Sequence, residues 1–117
     1  MTVRRIVANV AAESVPEVRT FYADLFRLDI LMDLGWVVTM GSGETAVTQM
    51  SILSEGGSGA PVPDLSIEVD DVDAVYARAK EVGCEIARDL TNEPWGVRRF
   101  FVIDPTGKLL NVLSHLR

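Results

Sequence analysis

The alternation of apolar and polar positions predicts a short first strand, "RRIVANV", in which Arg4, Ile6, Ala8 and Val10 share one face and Arg5, Val7 and Asn9 the other. Ser14, Pro16 and Glu17 then read as a helix start, with Ser14 as N-cap and Glu17 closing a capping box. Val15, Val18, Phe21, Tyr22 and Leu25 recur at helical spacing, so this stripe is expected to face the core. Three strand-like runs follow, "LDILMD", "WVVTMG" and "ETAVTQMSIL", separated by the turn-like "DLG" and "GSGE".

Ser54 to Pro63, "SEGGSGAPVP", has the composition of a flexible linker. Beyond it the order restarts. "DLSIEVD" reads as a strand, and "DVDAVYARAKEVG" as a helix with acids in its first turn and Gly83 after its last. "CEIARDL" is a further strand. "VRRFFVI" and "KLLNVLS" form a hairpin closed by "DPTG", with Asp104, Pro105 and Gly107 placed for a type I turn. Strand, helix and three strands thus occur twice, as modules 1–53 and 64–117 joined by linker 54–63 in a single domain spanning 1–117. The fold class is α+β: two tandem βαβββ modules, each with a helix on one sheet face, the other face left to curve around a cavity.

Composition narrows the function. The chain has 117 residues, 48% of them hydrophobic and 24% charged, in the range of a globular soluble domain. A formal charge of −6 offers no basic stripe for nucleic acid and leaves room for a cationic ligand. The apolar run near the start is cut by Glu13 and Pro16, so neither a signal peptide nor a membrane span is expected. The lone cysteine, Cys84, forms no internal disulfide, fits a reducing cytoplasm, and is expected as a small buried residue.

Alternation also sorts the polar residues. Arg5 and Asn9 share a strand face, as do Asp64, Ser66 and Glu68; Gln49 lines up with Ser51, and Asn111 with Leu109 and Leu113. The opposite faces are almost wholly apolar and suit the helices, which leaves the mixed faces to line the cavity. Arg98 and Arg99 stand on opposite faces of one strand; Arg99 is expected near the cavity and Arg98 toward an edge or interface. Trp36 and Trp95 sit at strand ends, where a large ring covers the core or stacks on a flat ligand.

The phrases "VRTFYADLF", "LSIEVDDVDAVYARAKEVGCEI" and "PWGVRRFFVIDPTGKLLNVL" resemble the vicinal oxygen chelate superfamily, in particular its glyoxalase/bleomycin resistance protein/dioxygenase subgroup. The resemblance implies a homodimer, and a divalent metal held from the first and last strands of each module. The positions that match those ligands here are Arg5, Gln49, Asp64 and Asn111. A guanidinium has no lone pair to donate, so no metal and no other cofactor is expected. The alternative is a hard cation bound through Gln49, Asp64 and Asn111. An Arg5–Asp64 ion pair is a purely structural use of the same positions, and His115, near the end of the chain, suits the surface.

The expectation is therefore a cytoplasmic, metal-independent protein binding an aromatic or cationic small molecule. Its cavity residues are Arg5, Asn9, Trp36, Gln49, Asp64, Ser66, Glu68, Trp95, Arg99 and Asn111. The alternatives are a metal-dependent glyoxalase-like lyase/isomerase or dioxygenase, or a metal-free enzyme with Glu68 or Asp64 as base. In the metal-free enzyme Arg5 stabilises an enolate-like charge.

Overall fold

A computed structural model describes residues 1–42 and 49–116. The elements are β1 (Val3–Ala11), α1 (Val15–Phe26), β2 (Asp29–Asp33), β3 (Val37–Gly41), β4 (Gln49–Leu53), β5 (Leu65–Val69), α2 (Val72–Glu81), β6 (Glu85–Glu93), β7 (Val97–Ile103) and β8 (Leu109–His115). This is an α+β fold with the βαβββ order twice. The strand order is β2-β3-β4-β1-β5-β8-β7-β6, with parallel pairing at β1–β4 and β5–β8. By contacts the chain divides into two compact units: Val7–Val62, and Met1–Ile6 together with Pro63–Arg117. Residues 43–48, which include the start of the expected strand "ETAVTQMSIL", lie outside the described residues.

In the unit Val7–Val62, α1 buries Val15 against Val38, Met40 and Ile52, with Val18 and Tyr22 packed alongside. The expected apolar stripe is only partly right. Phe21 and Leu25 are 56% and 61% exposed, because one helix over a narrow sheet buries an arc that takes in Val15, Val18 and Tyr22 but not its flank. Ser14 has the extended N-cap conformation without the side-chain hydrogen bond of a capping box. The connection 54–63, expected as a flexible linker, contains a hydrogen-bonded turn. The turn is closed by Gly56 N–H to Ala60 O (2.7 Å), Ala60 N–H to Gly57 O (3.0 Å) and Gly59 N–H to the Glu55 carboxylate (2.7 Å). A Cβ on Gly56 would stand 2.0 Å from the carbonyl oxygen of Pro61, so glycine here permits close chain approach rather than mobility.

In the other unit, α2 starts at Asp71, whose carboxylate accepts from Ala74 N–H (3.1 Å). It packs Val72 and Ala79 on Val69, Phe100 and Val112. Ser114 Oγ ties the helix start to the sheet, accepting from Val72 N–H (3.1 Å) and donating to Val69 O (2.7 Å). The "DPTG" turn forms as expected, with Gly107 N–H on Asp104 O at 3.0 Å. Cys84 is exposed rather than buried: it opens the extended segment after Gly83 turns the chain away from α2 at φ 80°.

No helix among the described residues is long and apolar enough to cross a membrane.

Candidate functional site

Cross-strand partners lie on one face of a sheet, so register shows what the unit of α2 gathers opposite its helix. Phe100, Val112 and Ile67 form a row under α2. The neighbouring rows point the other way: Ser66 beside Asn111, Asn111 beside Phe101 and Phe101 beside Arg88; then Glu68 beside Leu113, Leu113 beside Arg99 and Arg99 beside Thr91. Arg98 is on the α2 side, where its Nη2 meets Asp73 at 2.9 Å and holds that carboxyl below its usual pKa by hydrogen bonding. Arg99 stands on the face turned away from α2.

The polar groups of that face hold one another. Arg5 Nε lies 3.0 Å from Glu68 Oε1, with His115 Nε2 3.8 Å from the same oxygen. Asn111 Nδ2 donates to Ser66 Oγ at 3.1 Å, while its Oδ1 is shut off from solvent with no hydrogen-bond partner among the described residues. Asp64 does not pair with Arg5. It is exposed at the strand start, where its carboxylate accepts from Leu109 N–H at 2.8 Å. Glu68 also lines a cavity of about 220 Å³ with Arg4, Val69, Asp70, Ser114 and His115.

The most heavily buried charge is Arg99, 2% exposed, tied to Glu93 at 2.6 Å. Its guanidinium lies between two rings, 4.9 Å from the centroid of Trp95 and 4.7 Å from that of Phe101. Burial lowers the Arg99 pKa, and the Glu93 carboxylate opposes that shift. Arg88 reaches both oxygens of Glu93 through Nη2 at 3.2 Å. Glu93 and Arg88 are absent from the residues that alternation picks out. The expected strand stops at Leu90, whereas β6 continues to Glu93 through irregularities between Ile86 and Thr91 that break the two-residue rhythm. A glutamate just before "PWG", with an arginine pair just after it on the returning strand, is the signal that points to them.

The remaining candidates belong to the unit of α1. Asn9 is paired in register with Ser51, whose Oγ shares a 2.7 Å hydrogen bond with Thr39 Oγ1. Gln49 opens β4 opposite Gly41, and Trp36 lies just before β3, its carbonyl accepting from Ser54 N–H at 3.0 Å.

The residues at the metal-matching positions do not fit a divalent metal. Arg5 brings a guanidinium that holds Glu68, and Asp64 is turned to a backbone amide. Among the described residues no three His, Cys, Asp or Glu side chains are grouped to hold an ion.

Two βαβββ modules with a polar sheet face opposite each helix define a fold class shared with solved structures. One is described as the NAD-dependent benzaldehyde dehydrogenase from Legionella pneumophila (TM-score 0.80, 14% identity, covering 95% of this chain and 99% of that one). Another is a glyoxalase/bleomycin resistance protein/dioxygenase superfamily member from Vibrio splendidus 12B01 (TM-score 0.68, 16% identity, 98% and 100% covered). A third is the Mn(II)-bound glyoxalase from Novosphingobium aromaticivorans (TM-score 0.59, 20% identity, 96% and 38% covered). A comparison with curated proteins found no match. The family model of the Glyoxalase/Bleomycin resistance protein/Dioxygenase superfamily matches residues 5–112, and the chain belongs to that superfamily.

Proposed function

We propose that this member of the superfamily is a metal-independent binding protein for a small aromatic molecule. The ligand lies against the sheet face turned away from α2, beside Trp95 and the polar groups of Arg5, Ser66, Glu68 and Asn111. The observation that carries the reading is the clamp around Arg99. A buried ion pair is a poor way to add stability, yet here one is fixed between an indole and a phenyl ring and holds Trp95 in place. Side chains locked by their neighbours before a ligand arrives are what a selective site requires. Of the two ligand chemistries expected, the cationic one has less support: Glu68 and Glu93 on this face each already meet a guanidinium.

A metal-free enzyme with Glu68 as base is the second reading, favoured by the cavity that Glu68 lines beside His115. It predicts turnover where the first predicts only binding. We extend the proposal to a homodimer in a reducing cytoplasm, where the exposed thiol of Cys84 stays reduced; light scattering in solution tests the dimer.

The ligand reading is tested by titrating ¹⁵N-labelled protein with 2-naphthol, with phenyltrimethylammonium and with MnCl₂. The indole signals are followed, Trp95 being assigned through Trp95→Phe. A saturable shift of the Trp95 signal with naphthol is expected. Selective paramagnetic broadening of the Asn111 side-chain amide by stoichiometric Mn²⁺ would overturn the metal-independent reading.

A further inference from the structure

Among the described residues of this face, Arg88 is a guanidinium whose charge is poorly answered. Its only partner among the described residues is Glu93, reached through Nη2 at 3.2 Å, and that carboxylate is held more closely by Arg99 at 2.6 Å. Arg88 Nε is enclosed with no acceptor, yet the side chain as a whole is 29% exposed. An enclosed donor without an acceptor is costly, a charged one more so, and the exposed remainder of the guanidinium is open to a further acceptor. The neighbouring cation adds to the cost: Arg88 lowers the Arg99 pKa by repulsion.

Position gives this unmet donor its meaning. Arg88 is in register with Phe101, Phe101 with Asn111, and Asn111 with Ser66, all on the face turned from α2. Two strand spacings of about 4.8 Å put Arg88 roughly 10 Å from Asn111, the span of a two-ring aromatic molecule. At one end of the row stands a cation short of an acceptor. At the other is an amide already bonded to Ser66.

We propose that Arg88 receives the carboxylate of an aromatic acid, so that the ligand is an anion despite the chain's net charge of −6. This rests on the aromatic-ligand reading above and adds the charge of the ligand and the residue that selects it. A guanidinium partly held by Glu93 is oriented in advance, and a carboxylate completes its hydrogen bonds. Glu93 partly offsets the repulsion between Arg88 and Arg99 in the empty protein.

The test compares 2-naphthoate, its uncharged isostere 2-naphthamide and the cation 2-naphthylmethylammonium by Trp fluorescence and calorimetry, on wild type, Arg88→Gln and Arg88→Lys. Wild type is expected to bind naphthoate at least about tenfold tighter than naphthamide, as a charge-assisted hydrogen bond of ~1.4 kcal/mol over a neutral one gives. That advantage shrinks as NaCl rises from 50 to 500 mM, while naphthamide binding holds steady. Arg88→Gln removes the advantage of naphthoate over naphthamide, and Arg88→Lys keeps part of it. Equal binding of naphthoate and naphthamide by wild type overturns the anion assignment and leaves the aromatic reading standing. A naphthoate preference that survives in Arg88→Gln overturns the role of Arg88. If none of the three binds, the aromatic reading falls and this inference with it. The salt series uses wild type alone, so it decides the ligand's charge even if the variants fold poorly.

Discussion

Glu93→Gln removes one negative charge from the buried clamp and almost nothing else. The side chain is 3% exposed and Arg99 2%, so water cannot replace what is lost. The amide keeps one acceptor for Arg99 but no longer neutralises it. Breaking a buried pair by removing one partner costs about 3–5 kcal/mol, because an uncompensated charge remains inside. Arg88 also loses its partner, but at 29% exposure it can turn to solvent, so its share is minor. A chain of this length has a total stability of about 6–18 kcal/mol. The substitution therefore removes a large fraction of it, and a melting temperature lower by about 10–20 °C is expected. The companion variant Glu93→Leu/Arg99→Met removes both charges and keeps the volume; apolar replacements of this kind are often neutral or stabilising. Its stability should return to within about 1–2 kcal/mol of wild type. Urea unfolding followed by far-UV circular dichroism gives both values, with an unchanged m-value as the check that the unfolding reaction is the same. A loss below about 1 kcal/mol for Glu93→Gln, or a double variant no better than the single one, would refute the clamp as described.

Gly56→Ala should lower the melting temperature markedly, since the new methyl meets the Pro61 carbonyl oxygen at 2.0 Å; overpacking of this sort costs about 1–3 kcal/mol or more. Asn111→Leu should leave stability within about 1 kcal/mol of wild type, because the lost Ser66 hydrogen bond is offset by removal of a buried oxygen without a partner; the same variant is expected to lose naphthol binding. The carboxyls of Asp70, Asp73 and Asp104 titrate below their usual value, through Thr2 N–H, Arg98 and Thr106 respectively. Their contribution is therefore complete above about pH 5 and lost as pH falls below about 4. A thermal-melt series from pH 7 to 2 should decline only in that acid window, and the gap between wild type and Asp104→Ala should narrow there. Adding Mn²⁺ or Zn²⁺ should leave the melting temperature of wild type unchanged, whereas a saturable rise at stoichiometric metal would contradict the donor argument.

The alternation rule located β1, β5, β7 and β8, and in β5, β7 and β8 it separated the face under α2 from the opposite one; in β1 the expected helix-side Ile6 is exposed while Val7 on the other face is buried. In β6 the irregularities between Ile86 and Thr91 shift the phase, so Arg88, Thr91 and Glu93 come to one face out of step. The stripe on α1 departs from its expected burial for a related reason. Helical spacing tells which residues share a side of the helix, but the width of the buried arc depends on the sheet beneath, and Phe21 and Leu25 fall outside it. The connection 54–63 shows the limit of composition: Gly and Ser suit a mobile chain and a tight hydrogen-bonded turn alike, and only the approach of Gly56 to Pro61 tells them apart.

Partner choice is harder to read than face. Asp64 and Glu68 stand on one strand face, so the expected Arg5–Asp64 pair has Glu68 as a rival until the register is known. The structure selects Glu68, and the reason lies at the strand end: Asp64 has the Leu109 amide to accept from, while Glu68 stands further along the strand within reach of β1. The departure from a metal-ligand set, by contrast, was legible at once, because it depends on residue chemistry rather than geometry. An arginine at the first-strand position cannot donate a lone pair wherever it points. What the fold then does with that arginine is to hold a carboxylate of the other module, within the same compact unit. The polar face is thereby kept assembled by pairs within the protein, Arg5 with Glu68 and Arg99 with Glu93, and its specificity must come from the groups those pairs leave incompletely satisfied. Arg88 and Asn111 are such groups, on a single cross-strand row, and the aromatic acid proposed above would answer both.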